Sequence, residues 1–228
     1  MLREGYSFGV PLLAIGFAAF LLRWNVAGIL LVALALFVFS FFRNPERAIP
    51  SEAGAIVSPA DGRVVVVADE DHGGKRGKRI SIFLAIWNVH VNRAPTAGTI
   101  TGLDYRPGRF HAAMRERASF ENEQNIIHLN TAAGEIVFKQ IAGWIARRVV
   151  CWKKAGDSVA RGERIGLIRF GSRVDLWLPL EAAIRISVGE NVKGGSSILA
   201  ILAGRELKLN ADTGNPAQAS LAGAGRRV

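Results

Sequence analysis

A mainly β domain, β-rich α+β and barrel-sandwich-like, set behind an N-terminal hydrophobic helical hairpin, is the fold class this sequence predicts. Three observations carry the prediction. Residues 5–22 and 24–42 form two uncharged, strongly apolar runs parted by Arg23 alone. Beyond Pro50 the pattern changes to short β-like runs separated by charged and glycine-rich turns. Within that stretch only residues 110–116 read as a short helix or loop, so strands supply nearly all the regular structure.

The hairpin comes first. A helix crosses a hydrocarbon core of about 30 Å with roughly 20 apolar residues. Each run is slightly short for this, so the pair either spans with local thinning of the bilayer or lies as a re-entrant hairpin. The Arg-Trp-Asn break at residues 23–25 suits a tight turn between helices. A secretory signal followed by a buried helix is the competing reading. The immediate second apolar run and the lack of a clear small-residue cleavage site favour a retained hairpin. Arg3 before the pair and Arg43 and Arg47 after it put both outer flanks on the cytoplasmic side if it spans, although Arg23 at the tip opposes that scheme. Residues 1–47 are thus expected to anchor the chain to the cell membrane, with the following domain on the cytoplasmic side.

Pro45 ends the second helix, because proline cannot continue the hydrogen-bond ladder. Strands are then expected at 63–68, 79–87, 98–103, 125–131, 135–141, 164–169, 174–178, 182–187 and 197–202, with a charged turn at 69–78. They make one domain, 48–209. Residues 210–228 are rich in Ala and Gly, lack apolar periodicity and are expected to be disordered.

Composition narrows the function. Half the residues are apolar, enough for a packed core, and 29 Lys and Arg against 19 Asp and Glu give a net charge of +10. Such an excess favours an anionic partner, either a lipid surface or nucleic acid. The basic residues are scattered, aromatic content is 8%, and no nucleic-acid-binding motif is present, which disfavours the second. The single cysteine, Cys151, excludes an intrachain disulfide and fits a reducing compartment. No His or Cys spacing suggests a metal site. The segments 56–64 and 156–166 look like hairpins of barrel-sandwich carrier domains, but the lysine-tipped turn of a carrier is missing.

The pair Gly171-Ser172 stands between two β-like runs. In isolation it reads as a turn, and Gly195-Ser196 shows how common the dipeptide is. Its setting sets it apart: Gly166-Leu167-Ile168-Arg169-Phe170-Gly171-Ser172-Arg173-Val174 resembles the self-processing segment of phosphatidylserine decarboxylases. Ser58-Pro59-Ala60-Asp61-Gly62 resembles that family's Ser-Pro-x-Asp-Gly segment, and Trp87-Asn88-Val89-His90-Val91-Asn92 its histidine-bearing strand. Residues 105–110 and 118–125 resemble further segments in the expected order. The likeness covers roughly residues 41–203 and is to the short, prokaryotic proenzyme branch. Two positions depart from the wider pattern: Phe-Gly-Ser-Arg replaces the Leu-Gly-Ser-Thr of long-branch members, and Gln124 stands where many members carry arginine.

The resemblance implies a pyruvoyl-dependent decarboxylation of phosphatidylserine to phosphatidylethanolamine and CO2, after autocatalytic cleavage between Gly171 and Ser172. Decarboxylating an amino acid leaves an electron pair on its α carbon, and a carbonyl that condenses with the substrate amine can accept it. Serine attack on the Gly171 carbonyl, elimination and hydrolysis convert Ser172 into such a carbonyl, the pyruvoyl group. Serine is a weak nucleophile without a base. Strand alternation puts Asn88, His90 and Asn92 on one face, ordinarily a solvent-facing pattern; the resemblance makes His90 the base and Asp61 the group that orients it. His90 is also placed to return a proton to the α carbon. Implied partners are phosphatidylserine in an anionic membrane and the two fragments, 1–171 and 172–228, held as a heterodimer. The reading from another class is a non-enzymatic, membrane-anchored barrel-sandwich adaptor, which predicts an intact chain.

Overall fold

The computed structural model describes residues 1–144, 148–169 and 171–202; the expected tail at 210–228 and the last residues of the 48–209 domain lie outside them. Helices α1 (Arg3–Leu21) and α2 (Asn25–Phe41) form the hairpin. Arg23 turns the chain at φ 61°, and its N–H donates to the Phe20 carbonyl at 2.9 Å while that of Trp24 donates to the Ala19 carbonyl at 2.8 Å. These two bonds cap the last turn of α1, with the left-handed residue just beyond it. At 1.5 Å per residue α1 is about 28 Å long, and it is the one described helix long and apolar enough to cross a membrane; α2 is shorter. At the open end of the hairpin the Leu2 N–H donates to the Phe42 carbonyl at 3.1 Å. There Val38, Phe41 and Phe42 pack on Leu167, which seats the helices on the β domain.

That domain contains, in chain order, β1 (Ala55–Val57), β2 (Gly62–His72), β3 (Lys75–Leu84), β4 (Val91–Arg93), β5 (Gly98–Arg106), α3 (Ala118–Glu121), β6 (Gln124–Thr131) and β7 (Gly134–Ile141). It continues with β8 (Val149–Cys151), β9 (Ser158–Val159), β10 (Arg164–Ile168), β11 (Ser172–Pro179), β12 (Ala183–Ile184), β13 (Asn191–Val192) and β14 (Ile198–Ile201). Eight strands make one curled half-barrel sheet in the order β13-β2-β3-β11-β7-β6-β5-β9. Two three-stranded sheets, β1-β14-β12 and β4-β10-β8, complete the domain. The mainly β fold with an apolar helical start is therefore as expected.

β11 lies at the centre, paired antiparallel with β3 on one side and β7 on the other. Alternation sends Val174, Leu176 and Leu178 into the main core, where they meet Ile80, Ile82, Leu84 and Phe138. The intervening residues, Arg173 and Asp175, are also buried, at 1% and 0% exposure. They persist there because they satisfy each other. Arg173 Nε donates to Asp175 Oδ1 at 2.6 Å and Arg173 Nη2 to Ser81 Oγ at 2.7 Å. The Ser119 hydroxyl of α3 donates to the other Asp175 oxygen, and Arg79 ties the network to Glu70 and Glu116.

Several elements differ from expectation. The charged segment 69–78 is mostly strand: β2 and β3 continue through it and turn only at Gly73 and Gly74, since a two-stranded ribbon tolerates charge on its exposed faces. Strand 79–87 stops at Leu84, where the Asn88 side chain accepts the Ala85 N–H at 2.8 Å and bends the chain. Residues 110–116 are a loop, one of the two forms expected there, and the short helix begins only at Ala118. The run 182–187 contributes only Ala183 and Ile184 as strand.

Removing one partner from a buried ion pair costs about 3–5 kcal/mol, because the other charge stays desolvated. Asp175→Ala should therefore lower the Tm in detergent by on the order of 10 °C for a chain of this length. A Tm unchanged from the parent would contradict the assigned pairing.

Candidate active site

Three segments converge where β11 begins: the exit from α2, the bend after β3, and the junction of β10 with β11. Ser172 opens β11 opposite Leu84, is fully buried, and its Oγ has no hydrogen-bond partner among the described residues. A buried hydroxyl left without a partner costs on the order of 1–3 kcal/mol. The preceding Gly171 sits at φ 63°, a left-handed conformation that costs other residues about 1–2 kcal/mol. Its carbonyl oxygen lies so close to Gly143 that a Cβ there would collide with it.

His90 faces this linkage. Its Nδ1 lies 2.9 Å from the Asn88 carbonyl, and its Nε2 accepts the Gly171 N–H at 3.2 Å. A carbonyl only accepts and an amide N–H only donates, so the pair fixes the tautomer: the proton is on Nδ1 and the Nε2 lone pair faces the Gly171 N–H. His90 is 2% exposed, its ring centroid lies 4.3 Å from that of Phe41, and the Arg43 guanidinium is nearby. Burial, reinforced by Arg43 and opposed by the Asn88 carbonyl, lowers its pKa from the usual value to about 4. Its main chain is fixed as well, the His90 carbonyl accepting the Ile168 N–H at 3.2 Å.

The structure holds the Gly171 N–H on His90 Nε2, with Ser172 the next residue along the chain. It does not bring Asp61 to His90. The Asp61 carboxylate accepts from Arg47 at 2.8 and 3.1 Å and from the Gly194 N–H at 2.7 Å, and among the described residues no hydrogen bond joins it to His90. A guanidinium offers a carboxylate two charge-assisted bonds, while Nδ1 has a backbone acceptor two residues away. The expected orienting group is thus replaced by the Asn88 carbonyl. The expected strand face is partly realised: β4 starts only at Val91, yet His90 and Asn92 are both buried. Behind them Asn92 Oδ1 accepts from Gln140 Nε2 at 2.9 Å, and Gln140 Oε1 accepts from Asn125 Nδ2 at 3.2 Å.

The remaining histidines lie elsewhere. His111 bonds Glu121 at 2.9 Å, and His128 bonds Glu135 at 3.0 Å. His72, next to the Gly73-Gly74 turn, stacks on Trp177 with centroids 4.6 Å apart. It lines a cavity of about 410 Å³ with Trp177 and Pro179, at the end of β11 away from Ser172. Arg173, near enough in sequence to serve as a phosphate donor, is committed to Asp175 and Ser81.

Phe41, the Asn88 carbonyl and Gly143 were not singled out from the sequence. A glycine two residues past the end of an apolar strand was the available signal for Gly143. Nothing distinguishes Phe41 within its apolar run, and a backbone carbonyl leaves no trace in a residue pattern.

The family model for phosphatidylserine decarboxylase matches residues 34–200. A phosphatidylserine decarboxylase proenzyme of Geotalea uraniireducens is 46% identical over 202 residues, covering 87% of this chain and 95% of its own. That of Ralstonia pickettii is 49% identical over 172 residues, covering 74% and 80%, and that of Desulfotalea psychrophila 46% identical over 208, covering 86% and 94%.

The geometry carries a pH prediction. Unfolded, His90 takes up a proton near its ordinary value of 6.5; folded, it resists until about pH 4. The unfolded state therefore binds more protons between these values, so the contribution of His90 weakens stability as pH falls from 6.5 and levels off below about 4. An NMR titration of the His90 ring should show its midpoint near 4. A midpoint near the ordinary value would contradict the buried neutral imidazole.

Proposed function

The chain belongs to the phosphatidylserine decarboxylase family, and from that premise we propose that it is a self-cleaving, pyruvoyl-dependent carboxy-lyase converting phosphatidylserine to phosphatidylethanolamine and CO2. The observation that carries the proposal is the buried Ser172 hydroxyl, without a partner among the described residues and next to a glycine whose N–H is held by a neutral histidine.

In this reading His90 exchanges the Gly171 N–H for the Ser172 hydroxyl and removes its proton as Oγ attacks the Gly171 carbonyl. The C–N bond of the linkage breaks as the ester forms, and nitrogen takes the proton. Loss of the Ser172 α proton then expels the Gly171 carboxylate and leaves dehydroalanine. Water converts its enamine form to a ketone, releasing ammonia. The positive φ of Gly171 and the bare backbone of Gly143 leave room for the tetrahedral carbon. The resulting pyruvoyl group supplies the electron sink for decarboxylation. His90 is assigned the delivery of the proton that replaces the lost carboxylate.

Asp61 is assigned a positioning part. Its carboxylate ties Arg47, at the exit from the hairpin, to Gly194, which belongs to the fragment 172–228. Residues 1–47 are assigned to membrane anchoring and 48–209 to catalysis, with the domain on the cytoplasmic side. The fragments 1–171 and 172–228 stay together as a heterodimer, because β11 of the smaller is hydrogen-bonded on both edges to strands of the larger.

Maturation of purified variants, followed by gel and by CO2 release from carboxyl-labelled phosphatidylserine, tests this reading. Ser172→Ala and His90→Ala should remain uncut and inactive. Gly143→Ala should cleave at least about tenfold more slowly, the equivalent of about 1.4 kcal/mol on the barrier, because its methyl displaces the Gly171 carbonyl. Wild-type-like cleavage in His90→Ala would remove it as the base.

A further inference from the structure

We propose that Trp87, Trp144 and Met114 form a membrane-seating rim over the candidate site, so that the domain meets an anionic bilayer surface on the side that carries the Gly171–Ser172 linkage. Outside the hairpin these are the three most exposed large apolar side chains among the described residues, at 72%, 70% and 67%. Each adjoins a residue that touches the site. The Trp87 carbonyl accepts from Arg43 at 2.6 Å, and the next residue, Asn88, holds His90. Trp144 follows Gly143, which lies against the Gly171 carbonyl. Met114 follows Ala113, whose methyl packs over Gly143.

The hairpin fixes which way this rim faces. Its open end, at Leu2 and Phe42, sits on the domain beside His90, and its Arg23 turn is a full helix length away. An inserted hairpin therefore brings the bilayer surface to the level of Phe41 and Phe42, where the rim stands. Indole rings favour that boundary, since they combine a large apolar face with one polar N–H. The charge around the hairpin base fits an anionic surface. Arg43 bonds the Trp87 carbonyl, the Arg169 N–H donates to the Arg148 carbonyl at 3.2 Å, and the Arg169 guanidinium lies 5.9 Å from the Phe8 ring centroid. Glu4 is the one acidic residue in the first turn of α1. Basic side chains held near an anionic surface are attracted to it. Exposed indoles continuous with a membrane hairpin thus favour lipid over a protein partner as the occupant.

The consequence for catalysis rests on the function proposed above: the headgroup reaches Ser172 without its acyl chains leaving the bilayer. The test uses the full chain reconstituted in phosphatidylcholine–phosphatidylglycerol vesicles, with Trp87→Ser, Trp144→Ser and the double variant. Phosphatidylcholine brominated near the headgroup should quench wild-type tryptophan emission, and the quenched amplitude should fall about threefold in the double variant, leaving the contribution of Trp24. Decarboxylation of vesicle-borne phosphatidylserine should fall about tenfold while that of a water-soluble short-chain analogue stays within about twofold. An unchanged quenched amplitude would overturn the rim, as would tryptophan-dependent self-association in its place. Equal loss on both substrates would overturn the delivery role. The quenching arm reads the surface even if neither lipid is decarboxylated, a result that would count against the proposed function instead.

Discussion

His90 can accept the Gly171 amide only while its imidazole is neutral, and that condition constrains everything around it. The ring is kept neutral by burial, and the burial is built from distant parts of the chain. Phe41 covers one side from the end of the apolar hairpin, β10 ties the main chain from behind, and the Asn88 carbonyl fixes the proton on the far nitrogen. A solvent-exposed histidine in the same position would be partly protonated near neutral pH and would lose its lone pair to water. The last turn of the hairpin therefore forms a wall of the candidate site.

The same linkage is held from the other side by a charged layer. Ser172 faces inward at the start of β11, and the next residue, Arg173, faces the opposite way into a network of Asp175, Ser81 and Glu116. Two adjacent residues with opposite buried commitments leave the strand little freedom to slide, since a one-residue slip would exchange a hydroxyl with a guanidinium. β11 is also flanked on both edges by full ladders. A break just before it would free a chain end without freeing the strand.

Much of this was legible in the sequence. The two apolar runs around Arg23 mark the hairpin, and alternation locates the interior strands, because packing against one core imposes period two. Charged residues at 69–78 concealed a ribbon, since exposed strands need no apolar alternation. The loop around His90 was concealed for a related reason: Trp87, Val89 and Val91 alternate as in a strand, yet the Asn88 side chain caps Ala85 and bends the backbone. Ser172, Gly171 and His90 came from motif resemblance, and the structure joins the last two through the Gly171 N–H. The Asp61–His90 contact did not follow, because Arg47 competes for the carboxylate and sequence spacing carries no information about that competition. Gly143 and Phe41 act through close approach and burial, properties of the fold that no local pattern encodes.

The central claim is that the bond between residues 171 and 172 rearranges into a ketone-bearing chain end. Intact mass spectrometry of the purified, denatured protein tests it most directly. The account predicts two chains, 1–171 with an ordinary carboxyl end and 172–228 lighter by one ammonia than a peptide beginning with serine. A single uncut chain, or a 172–228 fragment that begins with unmodified serine, from a preparation that releases CO2 from phosphatidylserine would contradict it.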